Sequence, residues 1–216
     1  MRLHSEMPGL ERHTPAIATV VFMLVSAVSA IVREGWFEAL IPWLVILATI
    51  PPLLIERWAR IRIPLSLQLQ YVVLLLAGPY VGGHLDLYQT WSPWDTVVHF
   101  YSGFLVGFAA VYLLGITLRQ NGLTLPPWLE AVMIISIKAL VALVWEIAEF
   151  IYDLVLDKTA QDDNFDTMTD MIAGLIPGIL IAAALLLHRS KGWFNYLGFL
   201  LRVPPLPAPE AAPSRP

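Results

Sequence analysis

The sequence predicts an all-α protein, a polytopic bundle of about six transmembrane helices. The chain of 216 residues is 57% hydrophobic and only 14% charged, whereas a soluble domain is about half apolar and about a quarter charged. Its apolar residues form runs of about 20, the length that crosses roughly 30 Å of hydrocarbon. These runs lack the alternating period of barrel strands. Because backbone groups in lipid must bond internally, we expect helices.

The predicted spans follow one another with short connections. They cover about residues 15–32, 36–55, 65–83, 97–118, 128–151 and 168–187. The chain contains no cysteine, which excludes disulfides and thiolate metal sites.

Lys and Arg are concentrated on one side of the predicted membrane. Ten lie in the N-terminal segment, the second and fourth loops and the C-terminal tail, against two, Arg33 and Lys158, on the other side. Basic loops remain cytoplasmic. We therefore predict a multi-pass membrane protein with both termini in the cytoplasm, whereas most acidic residues lie at the outer face.

This orientation defines three regions. Residues 1–14 form a cytoplasmic N-terminal segment and residues 15–190 a single six-helix transmembrane domain. Residues 203–216 are rich in Pro and Ala, which predicts a disordered cytoplasmic tail.

The fourth span begins with a helix-start pattern. In "SPWD", Ser92 is expected at the N-cap, Pro93 at the first helical position and Asp95 at the third. Capping is a sufficient role for Asp95. His99 lies one turn deeper, where it is either a hydrogen-bonding residue between helices or a ligand or proton carrier.

The sixth span repeats part of the fourth. "DTVVHFYSGFLVG" and "DTMTDMIAGLIPG" align without a gap, and His99 aligns with Asp170. Asp166 can cap the sixth helix, but Asp170 lies about 6 Å deeper. Small residues four apart let membrane helices approach closely. We expect spans four and six to pack along the four aligned glycines, which are Gly103, Gly107, Gly174 and Gly178.

The fifth span carries three acids on one face near its outer end. In "WEIAEFIYD", Glu146, Glu149 and Asp153 lie at i, i+3 and i+7. At about 6 Å and an effective dielectric near 20, two such charges repel by roughly 3 kcal/mol. A cation, a proton, a basic partner or water must relieve this repulsion. Lys138, midway along the span, either snorkels toward the basic face or has an internal partner.

Together, spans four to six predict an outward-facing cluster of acids with one imidazole. The predicted members are His99, Glu146, Glu149, Asp153, Asp166 and Asp170. The expected ligands of a cation are His99, Glu146, Glu149 and Asp170. Oxygen-rich sites suit Mg, Ca or Mn, and a shared proton is the alternative because coupled acids titrate jointly.

Three motifs carry a family resemblance. "WDTVVHFYSGF", "LVWEIAEFIYD" and "FDTMTDMIAGLIPG", in this order over about residues 95–180, resemble the YjdF-like bacterial inner-membrane proteins, whose biochemical role is unassigned. More distantly, the Asp-x-x-x-His start and the Asp-x-x-x-Gly helix are similar to VanZ-like proteins, associated with glycopeptide-antibiotic tolerance. The Arg and Asn usual near the last VanZ motif are absent. These resemblances imply a location in the bacterial inner membrane and the position of a site, but no reaction.

Two classes of function remain open. The first is an outward-facing site for a divalent cation or a polar headgroup, in an enzyme or transporter acting on envelope material. Its partners would be the lipid bilayer and an envelope lipid or small polar ligand, with no nucleic acid. The second is a structural or partner-binding membrane protein whose acids serve topology and helix contacts.

The charge distribution generates a test of topology. A reporter fused after Gln120 should be active in the cytoplasm, and a reporter fused after Ala160 should be active outside. Activity of alkaline phosphatase and fluorescence of a cytoplasmic reporter distinguish the two sides. The reverse pattern would contradict the predicted orientation.

Overall fold

The six predicted spans are present as helices. The structure is a computed structural model that describes residues 13–33, 35–156, 160, 161 and 163–203. All regular secondary structure in these residues is helical, which confirms the all-α class. Six segments are long and apolar enough to cross a membrane, and each contains one predicted span: Thr14–Arg33, Trp36–Ala59, Leu65–His84, Pro93–Gln120, Pro127–Val155 and Asn164–Lys191.

The second span is broken in the middle. Following α1 (Thr14–Arg33), it consists of a 3-10 turn (Trp36–Ala39), α2 (Leu40–Ala48) and α3 (Ile50–Ala59). Pro51 and Pro52 lack the N–H groups that would continue the helix. The carbonyl of Ala48 is used instead by the Tyr71 hydroxyl, which donates to it at 2.7 Å. The break thus ties the second span to the third.

The third span changes its helical type. It begins as α4 (Leu65–Leu75) and continues as a π-helix (Leu76–His84), followed by the short α5 (Leu87–Thr90). The Tyr88 ring of α5 lies on the π-helix, where a Cβ at Gly82 would come within 2.8 Å of its Cδ2 atom. A Cβ at Gly78 would lie 3.5 Å from the Tyr88 hydroxyl. Both glycines therefore make room for this tyrosine.

The last three spans form the centre of the bundle. These are α6 (Pro93–Gln120), α7 (Pro127–Leu156) and α8 (Asn164–Lys191), and α8 packs extensively against both of the others. The structure corrects two expectations at the helix starts. Ser92 holds the N-cap position of α6 without a side-chain capping bond. Asp163, rather than Asp166, caps α8, because its carboxylate accepts from Phe165 N at 2.7 Å and from Asp166 N at 3.0 Å.

Two of the aligned glycines let α6 approach α8. A Cβ at Gly103 would touch the backbone carbonyl of Gly174 and lie 2.9 Å from Pro177 Cγ. One helical turn further, a Cβ at Gly107 would meet Ile181. No side chain larger than hydrogen fits at Gly103 unless the two backbones separate.

The other two glycines face α7 instead. A Cβ at Gly178 would lie 3.0 Å from Cβ and Cγ of Lys138, and one at Gly174 would lie 2.8 Å from Lys138 Nζ. The aligned glycines thus serve two interfaces, whereas the sequence predicted one. The physical reason is that α8 lies between α6 and α7, so small residues on it accommodate both neighbours.

A ninth helix covers the end of the bundle opposite the acidic residues. The amphipathic α9 (Asn195–Arg202) was not predicted. It packs on α6, where a Cβ at Gly115 would lie 2.8 Å from the Leu201 Cα atom. Leu197 and Leu200 are buried in the core beside Tyr112, whose hydroxyl donates to the Arg62 carbonyl at 2.6 Å.

Most of two predicted regions lies outside the described residues. These are the N-terminal segment before residue 13 and the tail after residue 203. Lys158, one of the two basic residues assigned to the outer side, also lies outside them.

The glycine contacts predict an order of stabilities. Gly103→Ala should destabilise by about 1–3 kcal/mol, because the methyl group meets an immovable backbone carbonyl. Gly174→Ala should cost less, because the end of the Lys138 side chain can move. The free energy of unfolding in mixed micelles is measured for both variants. Thr117 is exposed on α6, so Thr117→Ala is the control and should change this free energy by no more than about 0.5 kcal/mol. A smaller effect at Gly103 than at Gly174 would contradict this packing.

Candidate functional site

Three polar side chains from three helices meet inside the bundle near its acidic end. His99 of α6, Glu146 of α7 and Asp170 of α8 are only 5%, 5% and 2% exposed. Asp95 and Glu149 are half-buried beside them. Ionisable groups inside a membrane protein are costly. Their convergence from separate helices therefore requires a compensating interaction.

His99 lies between two carboxylates. Its Nε2 atom is 3.6 Å from Asp95 Oδ1, and its Nδ1 atom is 3.8 Å from Glu146 Oε1. Both distances exceed a normal hydrogen bond. Two groups of ligand atoms share this imidazole, and in each group the atoms lie within 4.8 Å of one another. The first group is Asp95, His99 and Asp170, and the second is His99, Glu146 and Glu149.

Two buried carboxylate oxygens of the site have no hydrogen-bond partner among the described residues. They are Glu146 Oε1 and Asp170 Oδ1. The other oxygen of Glu146 accepts from Gln161 Nε2 at 2.9 Å. Buried polar atoms are nearly always hydrogen-bonded, and an unsatisfied one costs about 1–3 kcal/mol, or more if charged. Both oxygens are thus available to a ligand.

Trp145 borders the site on the side of Glu149. Its indole Nε1 donates to Glu149 Oε1 at 2.7 Å, and its ring meets the His99 ring edge-on at 6.4 Å between centroids. The sequence analysis did not single out this residue. Its position directly before Glu146 in "WEIAEF" was the available signal, because an indole N–H in a membrane helix needs a partner.

Two predicted members lie outside both ligand groups. Asp153 accepts from Ala160 N at 2.6 Å and from Gln161 N at 2.9 Å, so both of its oxygens organise the connection between α7 and α8. Asp166 is half-buried in the first turn of α8 and belongs to neither group. The structure thus joins His99 with Glu146, Glu149 and Asp170, and adds Asp95.

Lys138 of α7 borders the site on the side toward the basic end of the bundle. It is 1% exposed, and its side chain runs from Gly178 toward Gly174. This direction leads toward the acidic end, so Lys138 does not snorkel toward the basic end. Its ammonium group interacts electrostatically with Glu146 and with His99. The glycines of α8, which leave room for this side chain, were the signal for an internal lysine.

Tyr88 is a further residue that sequence reasoning missed. Burial raises the pKa of its hydroxyl, and the carboxylates of Asp95, Glu149 and Asp170 raise it further. The hydroxyl therefore stays protonated at physiological pH and offers a hydrogen-bond donor beside the acidic residues. "GPYVGG" in the third span was the signal, because its glycines admit the ring.

A cleft of about 580 Å³ opens next to Glu146, between α7 and α8. One wall is apolar and is formed by Leu143, Ile147 and Phe150. The opposite end is polar and includes Asp163 and Asn164. Such a cleft matches a molecule with a polar head and an apolar body.

Comparison with known proteins assigns the chain to a family. The family described as "Predicted membrane protein (DUF2238)" matches residues 14–191. The chain belongs to the DUF2238 family. The DUF2238 match includes all six spans and every member of both ligand groups.

The comparisons add no activity to this DUF2238 protein. A Thermotoga maritima protein described as uncharacterized is 25% identical over 176 residues, which cover 81% of this chain and 90% of the relative. No solved structure matches the chain. The DUF2238 assignment leaves the YjdF-like similarity as a resemblance, and neither comparison supports the VanZ-like one.

The Asp153 contacts predict a structural role for this acid in the DUF2238 protein. Asp153→Ala removes the two oxygens that accept hydrogen bonds from backbone N–H groups, and should lower the free energy of unfolding by about 1–3 kcal/mol. Asp153→Asn keeps one acceptor and should lose less. Thermal unfolding with EDTA and with MnCl₂ measures both. If the loss at Asp153 appeared only with the cation present, this residue would be a ligand instead.

Proposed function

We propose that this DUF2238 protein binds a divalent cation between α6, α7 and α8. The observation that carries the proposal is the pair of buried, unpartnered oxygens, Glu146 Oε1 and Asp170 Oδ1, on helices either side of His99. A cation bound in the first ligand group would satisfy Asp170 Oδ1, and one bound in the second would satisfy Glu146 Oε1. The proposed residues are His99, Glu146 and Asp170, with Asp95 and Glu149 at the edge.

The charges of the site favour a divalent cation over a monovalent one. Ionised Asp95, Glu146, Glu149 and Asp170 carry four negative charges, and Lys138 supplies one positive charge. Each ligand group contains two carboxylates whose oxygens lie within 4.8 Å of one another. At that separation and an effective dielectric near 20, the two charges of one group repel by about 3.5 kcal/mol. Two further positive charges would remove most of this repulsion.

The donor set favours a particular class of ion. Carboxylate oxygens suit Mg²⁺, Ca²⁺ and Mn²⁺, and one imidazole nitrogen favours Mn²⁺ among them. A neutral imidazole has one lone pair and one N–H group. If His99 binds the ion through one nitrogen, the other can donate to the opposite carboxylate, which orients the ring. Asp95 and Glu146 lie on the correct sides for this arrangement.

We infer that the cation serves a polar headgroup at the outer face of the bacterial inner membrane. The excess of basic residues at the other end supports this orientation. The cleft beside Glu146 supports an amphipathic ligand, because its polar end would place a headgroup near the cation and its apolar wall would follow the lipid. Lys138 closes the site toward the basic end, which favours binding or catalysis at one face over a path through the bundle.

A structural or partner-binding function is the second candidate. Asp153 and Asp163 favour it, because Asp153 accepts backbone bonds through both oxygens and Asp163 caps α8 through one. A proton shared among the buried acids is the alternative occupant of the site.

Thermal unfolding of the purified protein tests the cation site. An ion that binds only the folded state stabilises it by about 2.7 kcal/mol at roughly 100 times its Kd. Wild type should be stabilised by MnCl₂ relative to EDTA, and MgCl₂ and CaCl₂ rank the selectivity. Asp170→Asn and Glu146→Gln should respond less. In EDTA, Asp170→Asn should be at least as stable as wild type, because it removes a buried charge without a counter-ion.

An exposed acid outside the site provides the matched control. Asp86 has a left-handed backbone (φ 62) that Asn also adopts, so Asp86→Asn should keep the full response to MnCl₂. Asp95→Asn and Glu149→Gln then show which ligand group holds the ion. Equal responses of wild type, Asp170→Asn and Glu146→Gln, or no response in any of them, would exclude the cation and leave the proton or the structural function.

A further inference from the structure

A second pocket lies at the opposite, basic end of the bundle. It encloses about 370 Å³ between the ends of α6, α7 and α8 and the surface helix α9. Its polar lining comes from Arg119, Glu130, His188, Arg189 and Arg202, and Leu118 and Leu201 contribute apolar contacts. It shares no residue with the acidic site.

The single carboxylate in this lining is already neutralised. Glu130 is 3% exposed and accepts from Arg189 through both oxygens, each at 2.8 Å. This two-point contact uses the Nε–Nη2 edge of the planar guanidinium and holds the group in one orientation. Within the described part of the chain, no other acid lines the pocket. The charges of Arg119 and Arg202 therefore give it an excess of two positive charges.

Arg119 is held in place at the pocket wall. Its Nη2 atom donates to the carbonyl of Val203, at the end of α9. A guanidinium has five N–H groups, so this bond leaves others for a ligand. Arg202, one residue earlier, is exposed and lines the same pocket. Two guanidinium groups on adjacent elements thus border one small space.

The surroundings of α9 favour a position of this pocket at a membrane surface. Trp193 and Phe194 are 54% and 50% exposed, and Phe199 is 37% exposed. Aromatic side chains are enriched where hydrocarbon meets headgroups, and amphipathic helices such as α9 can lie along that boundary. The close approaches of Leu201 to Gly115 and of Gly198 to His188 hold α9 against the bundle. We therefore expect the pocket to open near the level of lipid phosphates.

We propose that this pocket binds the phosphate of an anionic lipid headgroup through Arg119 and Arg202. Guanidinium groups match phosphate oxygens in shape and charge, and basic pockets between helices are suited to anionic headgroups. The Arg189–Glu130 pair is a positioning element that shapes the wall. The pocket would hold one lipid against α9.

Lipid-dependent stability of the purified full chain tests this proposal. The probes are dihexanoyl phosphatidylglycerol, dihexanoyl phosphatidylcholine and inorganic phosphate, each added to the protein in a neutral detergent. Phosphatidylglycerol should raise the melting temperature at concentrations at which phosphatidylcholine does not. Arg202→Gln should weaken the apparent affinity for phosphatidylglycerol about tenfold, the loss of one charge-assisted contact, and added NaCl should weaken it further.

Two further variants separate binding from folding. Arg119→Lys keeps the charge but loses the planar fork, so it should retain the fold and bind more weakly than wild type. Arg57→Gln removes an exposed basic residue of α3 that does not line the pocket, and should bind like wild type. A different outcome is that inorganic phosphate alone reproduces the shift in melting temperature and Arg202→Gln abolishes it. That result would support a phosphate site in this pocket but would overturn the lipid as its ligand in favour of the soluble ion.

Other outcomes would overturn the proposal. Equal shifts with phosphatidylglycerol and phosphatidylcholine would show that the pocket does not recognise the anionic group. Equal losses in Arg57→Gln and Arg202→Gln would show general attraction by the basic end of the protein. Because the acidic site lies at the other end, neither result bears on cation binding there.

Discussion

The close packing of α8 against both α6 and α7 is the constraint on which the rest of this structure depends. At Gly103 the backbone of α6 meets the Gly174 carbonyl, and on the other face of α8 the Lys138 side chain fills the space over Gly174 and Gly178. These contacts fix the register of the three helices. That register brings His99, Glu146 and Asp170 together at one depth, although each alone would be an expensive residue in a membrane helix.

The acids at this end of the bundle divide into two kinds according to their partners. Asp153 and Asp163 accept hydrogen bonds from backbone N–H groups and shape the connection into α8. Glu146 and Asp170 are buried more deeply and each retains an oxygen without a partner. Gln161 links the two kinds, because its backbone N–H binds Asp153 and its side chain binds Glu146. The connection between α7 and α8 is thus part of the wall of the site.

Periodicity and length predicted the six spans because a bilayer imposes both on any helix that crosses it. The repeat predicted the closeness of Gly103 to Gly174, and helical spacing placed His99, Glu146 and Asp170 at one end. Sequence spacing could not predict that Gly178 contacts Lys138, because spacing does not specify which neighbouring helix a given face of α8 packs against. It also missed α9, whose eight residues are too few for a periodic signal. It missed Tyr88 as well, because the packing of this ring depends on a π-helix that sequence spacing does not predict.

Lys138 has a consequence for the biogenesis of the protein. A lysine at the centre of a span makes the free energy of insertion from the translocon into the bilayer less favourable by about 2.5–3.5 kcal/mol, and Glu146 adds to this penalty. The small residues that shelter Lys138 lie in α8, which emerges from the ribosome only after α7. When α7 first meets lipid, the α8 segment on which it depends has not yet been synthesised. We expect α7 and α8 to enter the bilayer as one hairpin.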